Sequence, residues 1–346
     1  MFTKGKLTVW WAFFFNDSIN YLSSTMKILS FLALFLFLNG QADAQHFRLE
    51  FLKVYNLSDS ASLKNDPYFG GLSGIEYVPK RGKWYLVTDG ADSTRQSYLF
   101  EFDSLFNSQT YKRWKLDSVR SAESIRASRT DSSFYLSTEL GEGSTYGQFL
   151  RLRKDSTVTQ LGTYQGFRDN KGFEAMAVDS SQVLWSVSEW PQTCRDRYCQ
   201  VTGYSLITGD TLVRALYPID TVSCGFPDNG VSEILLARDR QLLFLERCWT
   251  GERDQSNYAI NLFTAYIPKL QPGQENTTNI LEKNPVSVNW GGVHLDNIEG
   301  MSWGPVINGF RTLVLVSDNN FNKFDQKKAP EHWQQSQLIF LKLIPD

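Results

Sequence analysis

The chain has little of the chemistry that most metal and nucleotide sites require. It contains three histidines, His46, His294 and His332, so a multi-histidine zinc site or a phosphohistidine mechanism lacks material. Neither a Walker loop nor a Gly-x-Gly-x-x-Gly motif after a strand is present, and residues 71–75 lack the final glycine of a Gly-x-Ser-x-Gly nucleophile motif. If the protein is a hydrolase, its water must be activated by a metal, by a carboxylate, or by both.

The chain also has little net charge. The formal net charge is −2 and no run of five or more like charges occurs, which argues against a nucleic-acid partner. Hydrophobic residues make up 42% of the chain and aromatic residues 14% of it, which excludes a disordered chain. The 346 residues suffice for one large domain or two ordinary ones.

One long apolar run is present, at residues 28–38. Met26 and Lys27 precede it, and Ala42-Asp43-Ala44 follows, as in a secretory signal with small residues at the −3 and −1 positions. The run is too short to span a bilayer comfortably. We therefore predict a mis-assigned start at 1–25, a signal peptide at 26–44 and a mature domain at 45–346. This predicts export to the periplasm or the extracellular space, with no membrane anchor after cleavage.

Cysteine is confined to one quarter of the chain, at Cys194, Cys199, Cys224 and Cys248. In an exported protein an even set of this kind is usually oxidised, and we predict disulfides joining Cys194 to Cys199 and Cys224 to Cys248. A zinc site is the alternative, but no pair has the two-residue spacing of a metal knuckle and no histidine lies nearby.

Five internal repeats organise the rest of the sequence. Each has a short first strand, a hairpin turn and a second strand that ends in an acid. The first strands are 71–77, 122–127, 173–178, 231–236 and 298–303. The second strands are 84–89, 134–139, 184–189, 242–246 and 313–318. Third strands are predicted at 98–102, 148–153, 201–206, 262–267 and 337–343, and fourth strands at 111–116, 158–164, 212–219 and 285–290.

The fifth repeat lacks a fourth strand because the chain ends. Phe47, Leu49 and Phe51 alternate with polar or outward residues at the other terminus, which is typical of an edge strand. A strand from the N-terminus that completes the last unit is how a β-propeller closes its ring. We therefore predict an all-β protein, a β-propeller of five four-stranded blades closed by the N-terminal strand, with six blades as the alternative.

Superposing the first strands on their apolar anchors brings five oxygen-bearing residues to one position. They are Ser73, Glu123, Glu174, Ser232 and Glu299. The first strand of each propeller blade lines the central channel, so three carboxylates would converge on one axis and need a compensating cation or proton. Oxygen ligands favour Ca²⁺ over Mg²⁺ as the occupant. The alternative is that these side chains form hydrogen bonds to neighbouring blades.

The acids that end the second strands also recur once per repeat. They are Asp89, Glu139, Glu189, Glu246 and Asp318. They either line one mouth of the channel or accept hydrogen bonds from loop backbones. Arg247, Lys171, Asn319 and Asn320 lie near repeat ends and are candidates for binding an anionic ligand.

Two segments carry a resemblance to a known family. Gly70-Gly71-Leu72-Ser73-Gly74-Ile75 leads to a strand ending at Asp89, and Asp296-Asn297-Ile298-Glu299-Gly300-Met301 leads to Asp318-Asn319-Asn320-Phe321. These resemble the opening and closing signatures of the phytase-like family, labelled "esterase-like activity of phytase". The resemblance covers nearly all of the mature chain and implies a propeller with phosphoester hydrolysis. A looser similarity to calcium-activated apyrases rests only on the position shared by Ser73, Glu123, Glu174, Ser232 and Glu299, and it implies one axial Ca²⁺.

Three functions follow as hypotheses. The first is an exported, calcium-dependent hydrolase of ester or phosphoester bonds acting on a small anionic, phosphorylated substrate. In it Asp89, Glu139, Glu189 or Asp318 would position water, and Arg247 or Lys171 would hold the phosphate. The second is a non-catalytic propeller whose calcium is structural and which binds a glycan or a protein. The third is a metal-dependent lactonase.

Overall fold

The computed structural model describes residues 47–90, 94–103, 110–139, 146–165, 172–191, 197–220, 229–249, 258–268, 279–322 and 333–345. The predicted leader, including the signal peptide at 26–44, lies outside these residues. The described residues are almost entirely β-structure, arranged in five sheets around an axis. The predicted five-bladed propeller is therefore confirmed, and the six-bladed alternative is wrong.

The first two blades are plain antiparallel sheets in chain order. Blade 1 consists of β2 (Leu72–Val78), β3 (Lys83–Thr88), β4 (Gln96–Phe102) and β5 (Tyr111–Arg120). Blade 2 consists of β6 (Ala122–Ala127), β7 (Phe134–Glu139), β8 (Tyr146–Leu152) and β9 (Val158–Gln165).

Blades 3 and 4 follow the same order, with the first strand nearest the axis. Blade 3 consists of β10 (Ala175–Val178), β11 (Val183–Val187), β12 (Tyr198–Ser205), β13 (Thr211–Pro218) and the added short strand β17 (Asn279–Ile280). Blade 4 consists of β14 (Asn229–Arg238), β15 (Gln241–Trp249), β16 (Tyr258–Tyr266) and β18 (Lys283–Pro285).

Blade 5 joins the two ends of the domain. It consists of β20 (Ile298–Trp303), β21 (Thr312–Ser317), β22 (Gln337–Pro345), β1 (Phe47–Asn56) and the short strand β19 (Val288–Asn289). β1 pairs antiparallel with β22 along its whole length, with one bulge between Phe51 and Lys53. The prediction that the N-terminal strand closes the ring is confirmed. Leu49 on this strand is fully buried, so the closure also contributes apolar contact.

One strand was predicted in the wrong sheet. Residues 285–290 were expected to form the fourth strand of blade 4, but β18 ends at Pro285. Val288 and Asn289 instead pair in parallel with Leu49 and Glu50 of blade 5. Pro285 has no backbone N–H for a ladder, so the chain leaves the sheet there and crosses to the next blade.

The hairpins inside the blades have the turn chemistry that the sequence predicts. Gly82 and Gly309 adopt positive φ values of 60° and 82°, and Gln182 and Arg240 adopt values of 61° and 53°. In the blade 2 turn, Asp131 instead accepts hydrogen bonds from the Ser133 backbone and hydroxyl. Tight turns of this kind hold the first and second strands of each blade in fixed register.

The hydrophobic core lies between neighbouring blades. Tyr217 of blade 3 and Phe244 of blade 4 stack face to face with ring centroids 4.0 Å apart. Trp185 and Phe100, both fully buried, are among the largest side chains in the interblade layers. Each sheet therefore buries both faces and leaves its loops and the axis for function. No helix within the described ranges is long and apolar enough to cross a membrane.

The cysteine prediction needs one correction. Cys199 is a free thiol, fully buried in the core, and burial raises the pKa of this thiol. The predicted disulfide between Cys194 and Cys199 is therefore wrong. Cys194 and Cys224 lie outside the described residues, so the pairing of Cys224 with Cys248 stays a prediction.

Candidate active site at one mouth of the channel

The five residues predicted to converge on the axis occupy equivalent places at the start of the innermost strands. We call Ser73, Glu123, Glu174, Ser232 and Glu299 the ring residues. In four blades the pairing between first and second strand skips the ring residue, which is a β-bulge. The bulged residues are Ser73, Glu123, Ser232 and Glu299. In blade 3, Glu174 directly precedes β10. The repeat alignment of these five positions therefore agrees with the backbone geometry.

A second tier of residues lies beside the ring. The backbone N–H groups of Asp89, Glu139, Glu189 and Asp318 donate to the carbonyls of Gly71, Ser121, Gly172 and Asn297, at 2.8 to 3.1 Å. Each carbonyl belongs to the residue two positions before a ring residue. In blade 4 the corresponding residue is Gly230, and it pairs with Arg247. The second tier is thus four acids and one arginine, and together the ring and this tier form the carboxylate mouth.

Glu246 does not belong to the carboxylate mouth, which corrects the predicted series of acids. Its carboxylate is fully buried and accepts from Tyr217 Oη at 2.7 Å and from Lys283 Nζ at 2.6 Å. The Asp220 backbone and the Asn229 amide add two more hydrogen bonds, both at 2.8 Å. Glu246 is a structural acid, since its partners fill its acceptor positions.

Arg247 supplies positive charge to the carboxylate mouth. Its guanidinium lies 3.1 Å from Glu189, 4.0 Å from Glu174 and in direct contact with Glu299. It also donates to Asn297 Oδ1 at 2.9 Å. Burial alone would lower the pKa of Arg247, but the three carboxylates outweigh burial and raise it. Arg247 therefore links blades 3, 4 and 5 as a permanent cation.

The two ring serines make hydrogen bonds between blades. Ser73 Oγ donates to the Ala122 carbonyl of blade 2 at 2.5 Å, and Ser232 Oγ donates to the Ile298 carbonyl of blade 5 at 3.2 Å. Both side chains are buried. These contacts match the alternative interpretation in which ring residues join neighbouring blades.

The remaining acids repel one another. The pKa of Glu123 is raised well above its usual value, first by burial and then by Glu139, Asp89 and Glu299. Burial, Asp89 and Glu299 likewise raise the pKa of Asp318, against the Asn320 N–H and Arg247. Neither Glu123 nor Asp318 forms an ion pair within the described part of the chain. Carboxyl groups therefore crowd together on the side of blades 1, 2 and 5, where ionising all of them at once is unfavourable.

The two signature segments of the sequence meet at this mouth. Gly70 and Gly71 have φ values of 148° and 54°, and a Cβ on Gly71 would lie 2.1 Å from Asp89 Oδ1 and 2.3 Å from the Phe321 ring. Asn319 Oδ1 accepts from the Phe321 N–H at 3.1 Å and from the Gly71 N–H at 3.4 Å. Asn319 is thus a turn-forming residue that fixes the contact between blades 5 and 1.

The other predicted anion-binding residues have different outcomes. Asn320 lies next to Asp318 and its amide donates to Gln334 at 3.1 Å. Lys171 lies outside the described residues. Tyr258 was missed: Arg247, Glu299, Asp296 and Asp318 all influence its pKa, which burial raises to about 12. Tyr258 lies in the third strand of blade 4, paired with Trp249. The third strand predicted from the repeat covers only residues 262–267 and therefore does not include it.

The donor chemistry of the carboxylate mouth fits a hard cation, because its side chains offer oxygen and its acids outnumber Arg247. However, no group of three or more histidine, cysteine, aspartate or glutamate residues within the described ranges is arranged to hold a metal ion. Two ring serines and two of the three ring glutamates are engaged elsewhere. The carboxylate mouth thus has oxygen donors of the kind that calcium prefers, but the five ring residues do not together form a set of calcium ligands.

The channel is closed below the carboxylate mouth. Arg126 Nη2 lies 2.7 Å from Glu233 Oε2. Glu233 also accepts from Ser124 Oγ of blade 2 at 3.0 Å and from Met176 N of blade 3 at 3.1 Å. Arg126 donates to the Ile234 carbonyl of blade 4 at 2.9 Å. Arg126 also donates to the Ile75 carbonyl of blade 1 at 3.3 Å. We call this pair the axial plug, since it ties four blades together at the axis.

Small residues make room for the axial plug. The position of Glu233 is occupied in the other blades by Gly74, Ser124, Ala175 and Gly300. A Cβ on Gly300 would lie 2.9 Å from the Ser73 carbonyl, so the inner strands approach closely there. One long acid and one long base therefore fill an axis that the other blades leave narrow.

The fold and site define a five-bladed propeller with a carboxylate-lined mouth. A family model described as "Phytase-like: Esterase-like activity of phytase" matches residues 67–321. The chain belongs to this phytase-like family, as the two signature segments indicated.

Solved structures show likeness in fold only. An endo-1,4-β-xylanase from Bacteroides thetaiotaomicron is 11% identical with a TM-score of 0.49, covering 79% of this chain and 90% of that one. An α-L-arabinanase from Cellvibrio cellulosa is 11% identical with a TM-score of 0.46, covering 80% and 93%. A gluconolactonase from Xanthomonas campestris is 11% identical with a TM-score of 0.38, covering 76% and 69%. No curated protein matches the sequence.

Proposed function

We propose that the protein is a hydrolase of ester or phosphoester bonds that acts at the carboxylate mouth with the help of Ca²⁺. The observation that carries the proposal is the division of this mouth into two halves. Arg247 pairs with acids of blades 3 and 5, while Glu123 and Asp318 face other carboxylates. Membership of a family named for esterase-like activity is consistent with it.

A divalent cation would relieve the repulsion on the second half. Asp89, Glu123 and Asp318 do not form a ready ligand group, and we propose that the cation would draw them together, because Asp89 raises the pKa of both other acids. When bound, Ca²⁺ would polarise a phosphoryl or carbonyl oxygen of the ester.

The first half would handle the proton. Arg247 lies 3.1 Å from Glu189 and forms an ion pair with that carboxylate. Glu189 is our candidate to accept a proton from the attacking water. Glu139 is held by the Gly172 N–H and borders the same mouth. Groups of carboxyls whose environments differ in this way serve as acid and base pairs in hydrolases.

The test combines metal binding with turnover. Purified protein is stripped with chelator, and its melting temperature and its activity on phytate, nucleotides, p-nitrophenyl esters, p-nitrophenyl phosphate and lactones are measured with and without CaCl₂. We expect calcium to raise the melting temperature and to be required for turnover on at least one ester. Glu123→Gln and Asp318→Asn should lose both effects. Asp117→Asn, whose side chain is 85% exposed on blade 1, is the matched control.

Two results separate the alternatives. A calcium-induced shift without turnover on the whole panel would indicate a binding module with a structural ion. Turnover on lactones alone would indicate the lactonase. Unchanged melting and turnover after chelation would contradict the calcium proposal and leave a carboxylate-only hydrolase.

We also propose that the chain is exported after removal of residues 26–44. The apolar run and the Ala42-Asp43-Ala44 segment support this. N-terminal sequencing of protein recovered from the periplasm or medium of an expressing bacterium tests it, and a new terminus at Gln45 is the expected result. An uncleaved cytoplasmic product would contradict the proposal.

A further inference from the structure

A second cavity opens at the end of the axis opposite the carboxylate mouth. Its volume is about 890 Å³, within the usual range of small-molecule sites. The carboxyl-terminal ends of all five inner strands line it, through residues such as Tyr77, Ala127, Val178, Leu236 and Trp303. The ring residues lie at the opposite ends of the same strands, and the axial plug lies between. We call this space the lower cavity.

Its charge is opposite to that of the carboxylate mouth. Lys80, Arg126, Arg129 and Arg311 line the lower cavity, and Glu76 is the acid among the described lining residues. Burial raises the pKa of Glu76, and its Oε1 accepts a hydrogen bond from the Ala127 N–H at 3.1 Å. The balance of the lining is therefore positive, which favours an anionic ligand.

Arg126 provides a buried positive charge beside such a ligand. It is 4% exposed and its Nη atoms are used by Glu233 and by backbone carbonyls. Its Nε–H, however, is buried and has no hydrogen-bond partner among the described residues. Arg126 therefore adds a buried positive charge to the wall of the lower cavity, close in sequence to the exposed Arg129.

The apolar wall of the lower cavity is already formed. Trp303 Nε1 donates to the Leu236 carbonyl at 2.9 Å, which joins blades 5 and 4 and fixes the indole. The Arg311 guanidinium carbon stacks 3.7 Å from the Trp303 ring centroid. A ligand would therefore meet a flat aromatic surface beside a cationic rim without rearranging either.

We propose that the lower cavity binds a small organic anion with an apolar body, its acid group toward Arg126 and Arg129 and its body against Trp303 and Leu236. The site is independent of the proposed hydrolase activity, because the lower cavity shares no described lining residue with the carboxylate mouth. A carboxylate, sulfonate or phosphate group satisfies the same donors.

The probe is naphthalene-2-sulfonate, which the proposed hydrolase cannot cleave, and binding to the full chain is measured by isothermal titration calorimetry. We expect saturable binding of one equivalent. The neutral analogue 2-naphthylmethanol should bind about tenfold more weakly, as should sulfonate to Arg129→Ala, because each loses one charge-assisted contact. Ala127→Phe should weaken binding by occupying part of the cavity.

Two controls keep the result specific. Lys112→Ala removes an exposed cation elsewhere on blade 1, and Asp318→Asn alters the carboxylate mouth; both should bind the sulfonate like the parent protein. Arg129 is exposed, so its variant should fold normally, as circular dichroism can verify. Equal binding of the neutral analogue, or unchanged binding by Arg129→Ala and Ala127→Phe, would overturn the proposal.

Discussion

The guanidinium of Arg126 lies 2.7 Å from the carboxylate of Glu233 at the centre of the propeller, where both side chains are buried. Together they contact blades 1 to 4, through Ile75, Ser124, Met176 and Ile234. This pair makes the two mouths separate compartments. It also places a buried ionic contact where a propeller otherwise has the least apolar material to hold its blades together.

Removing one partner of the axial plug should destabilise the fold strongly. Arg126→Met leaves Glu233 as a buried carboxylate without its cation, which typically costs about 3 to 5 kcal/mol. The free energy of unfolding is measured by urea denaturation. Arg151→Met is the matched control, because Arg151 pairs with the partly exposed Asp131 and should cost about 1 kcal/mol or less.

Equal losses for Arg126→Met and Arg151→Met would contradict the importance of the axial plug. The double variant Arg126→Met/Glu233→Met should recover part of the loss, because it removes both buried charges at once. A double variant as unstable as the sum of its two single variants would instead indicate that the two side chains act independently.

Stability should fall as the pH rises from about 4.5 to 7. Burial raises the pKa of Glu233 to about 7, outweighing Arg126 and the two backbone donors Met176 and Ile234. The folded state then keeps a proton that the unfolded state releases near its usual pKa of 4.5. The resulting loss of stability is therefore absent below pH 4.5 and complete above pH 7.

Its size should be on the order of 3 kcal/mol, and denaturation from pH 4 to 8 measures it. Glu76, which lies 3.8 Å from Arg126 and whose pKa burial also raises, adds to the same trend. Glu233→Gln should therefore flatten the profile without removing it. A profile unchanged in Glu233→Gln would show that other groups set it.

The blades were predictable from the sequence because each repeats a local signal. A first strand, its hairpin turn and the apolar second strand lie within about twenty residues, and the five copies support one another. Closure of the ring by β1 was predictable for the same reason, since one strand was missing at one end and one was spare at the other. Pro285 marked the end of its strand, yet the crossing of residues 288 and 289 to blade 5 depends on distant partners.

The carboxylate mouth was predictable in part. The apolar anchors of the first strands predict the positions of the ring residues correctly. The second tier differs in blade 4: the sequence predicts Glu246 as the equivalent acid, but Arg247 occupies that place. The error arises because strand register is set by hydrogen bonds across the sheet, which a list of terminal acids does not contain. The axial plug was missed altogether, since Arg126 and Glu233 are 107 positions apart in the printed sequence and only the ring brings them together.

Arg247→Gln should destabilise the protein at neutral pH and much less at pH 5. The substitution removes the cation that pairs with Glu189 and Glu299, so buried negative charge increases, typically at a cost of about 3 kcal/mol or more. Burial and neighbouring acids, Glu299 among them, raise the pKa of Glu123 and of Asp318, so at lower pH these two carboxyls hold protons and the repulsion in the mouth weakens. Melting temperatures at pH 5 and 7.5 measure the effect.

Arg311→Gln, an exposed arginine at the other end of the axis, is the control and should change little at either pH. If calcium binds at the carboxylate mouth, CaCl₂ should also rescue Arg247→Gln at pH 7.5 more than it stabilises the parent, since the variant carries more uncompensated charge. Equal destabilisation at both pH values would mean that Arg247 acts by packing alone.

Gly71→Ala should be far more damaging than Gly82→Ala, although both glycines have positive φ. Gly71 has φ of 54° and its added Cβ would lie 2.1 Å from Asp89 Oδ1 and 2.3 Å from Phe321, whereas Gly82 has φ of 60° and open space around it. Backbone strain alone costs about 1 kcal/mol in each variant. In Gly71→Ala the clash must in addition displace either the Asp89 carboxylate or the Phe321 ring, and with it the contact between blades 5 and 1. We therefore expect a loss of about 3 kcal/mol or more for Gly71→Ala against about 1 kcal/mol for Gly82→Ala in urea denaturation.

Because Asp89 belongs to the carboxylate mouth, Gly71→Ala should also reduce the calcium-induced rise in melting temperature, which Gly82→Ala should leave intact. Similar losses in the two variants would show that the conformation of Gly71, and not its approach to Asp89 and Phe321, is what the fold requires.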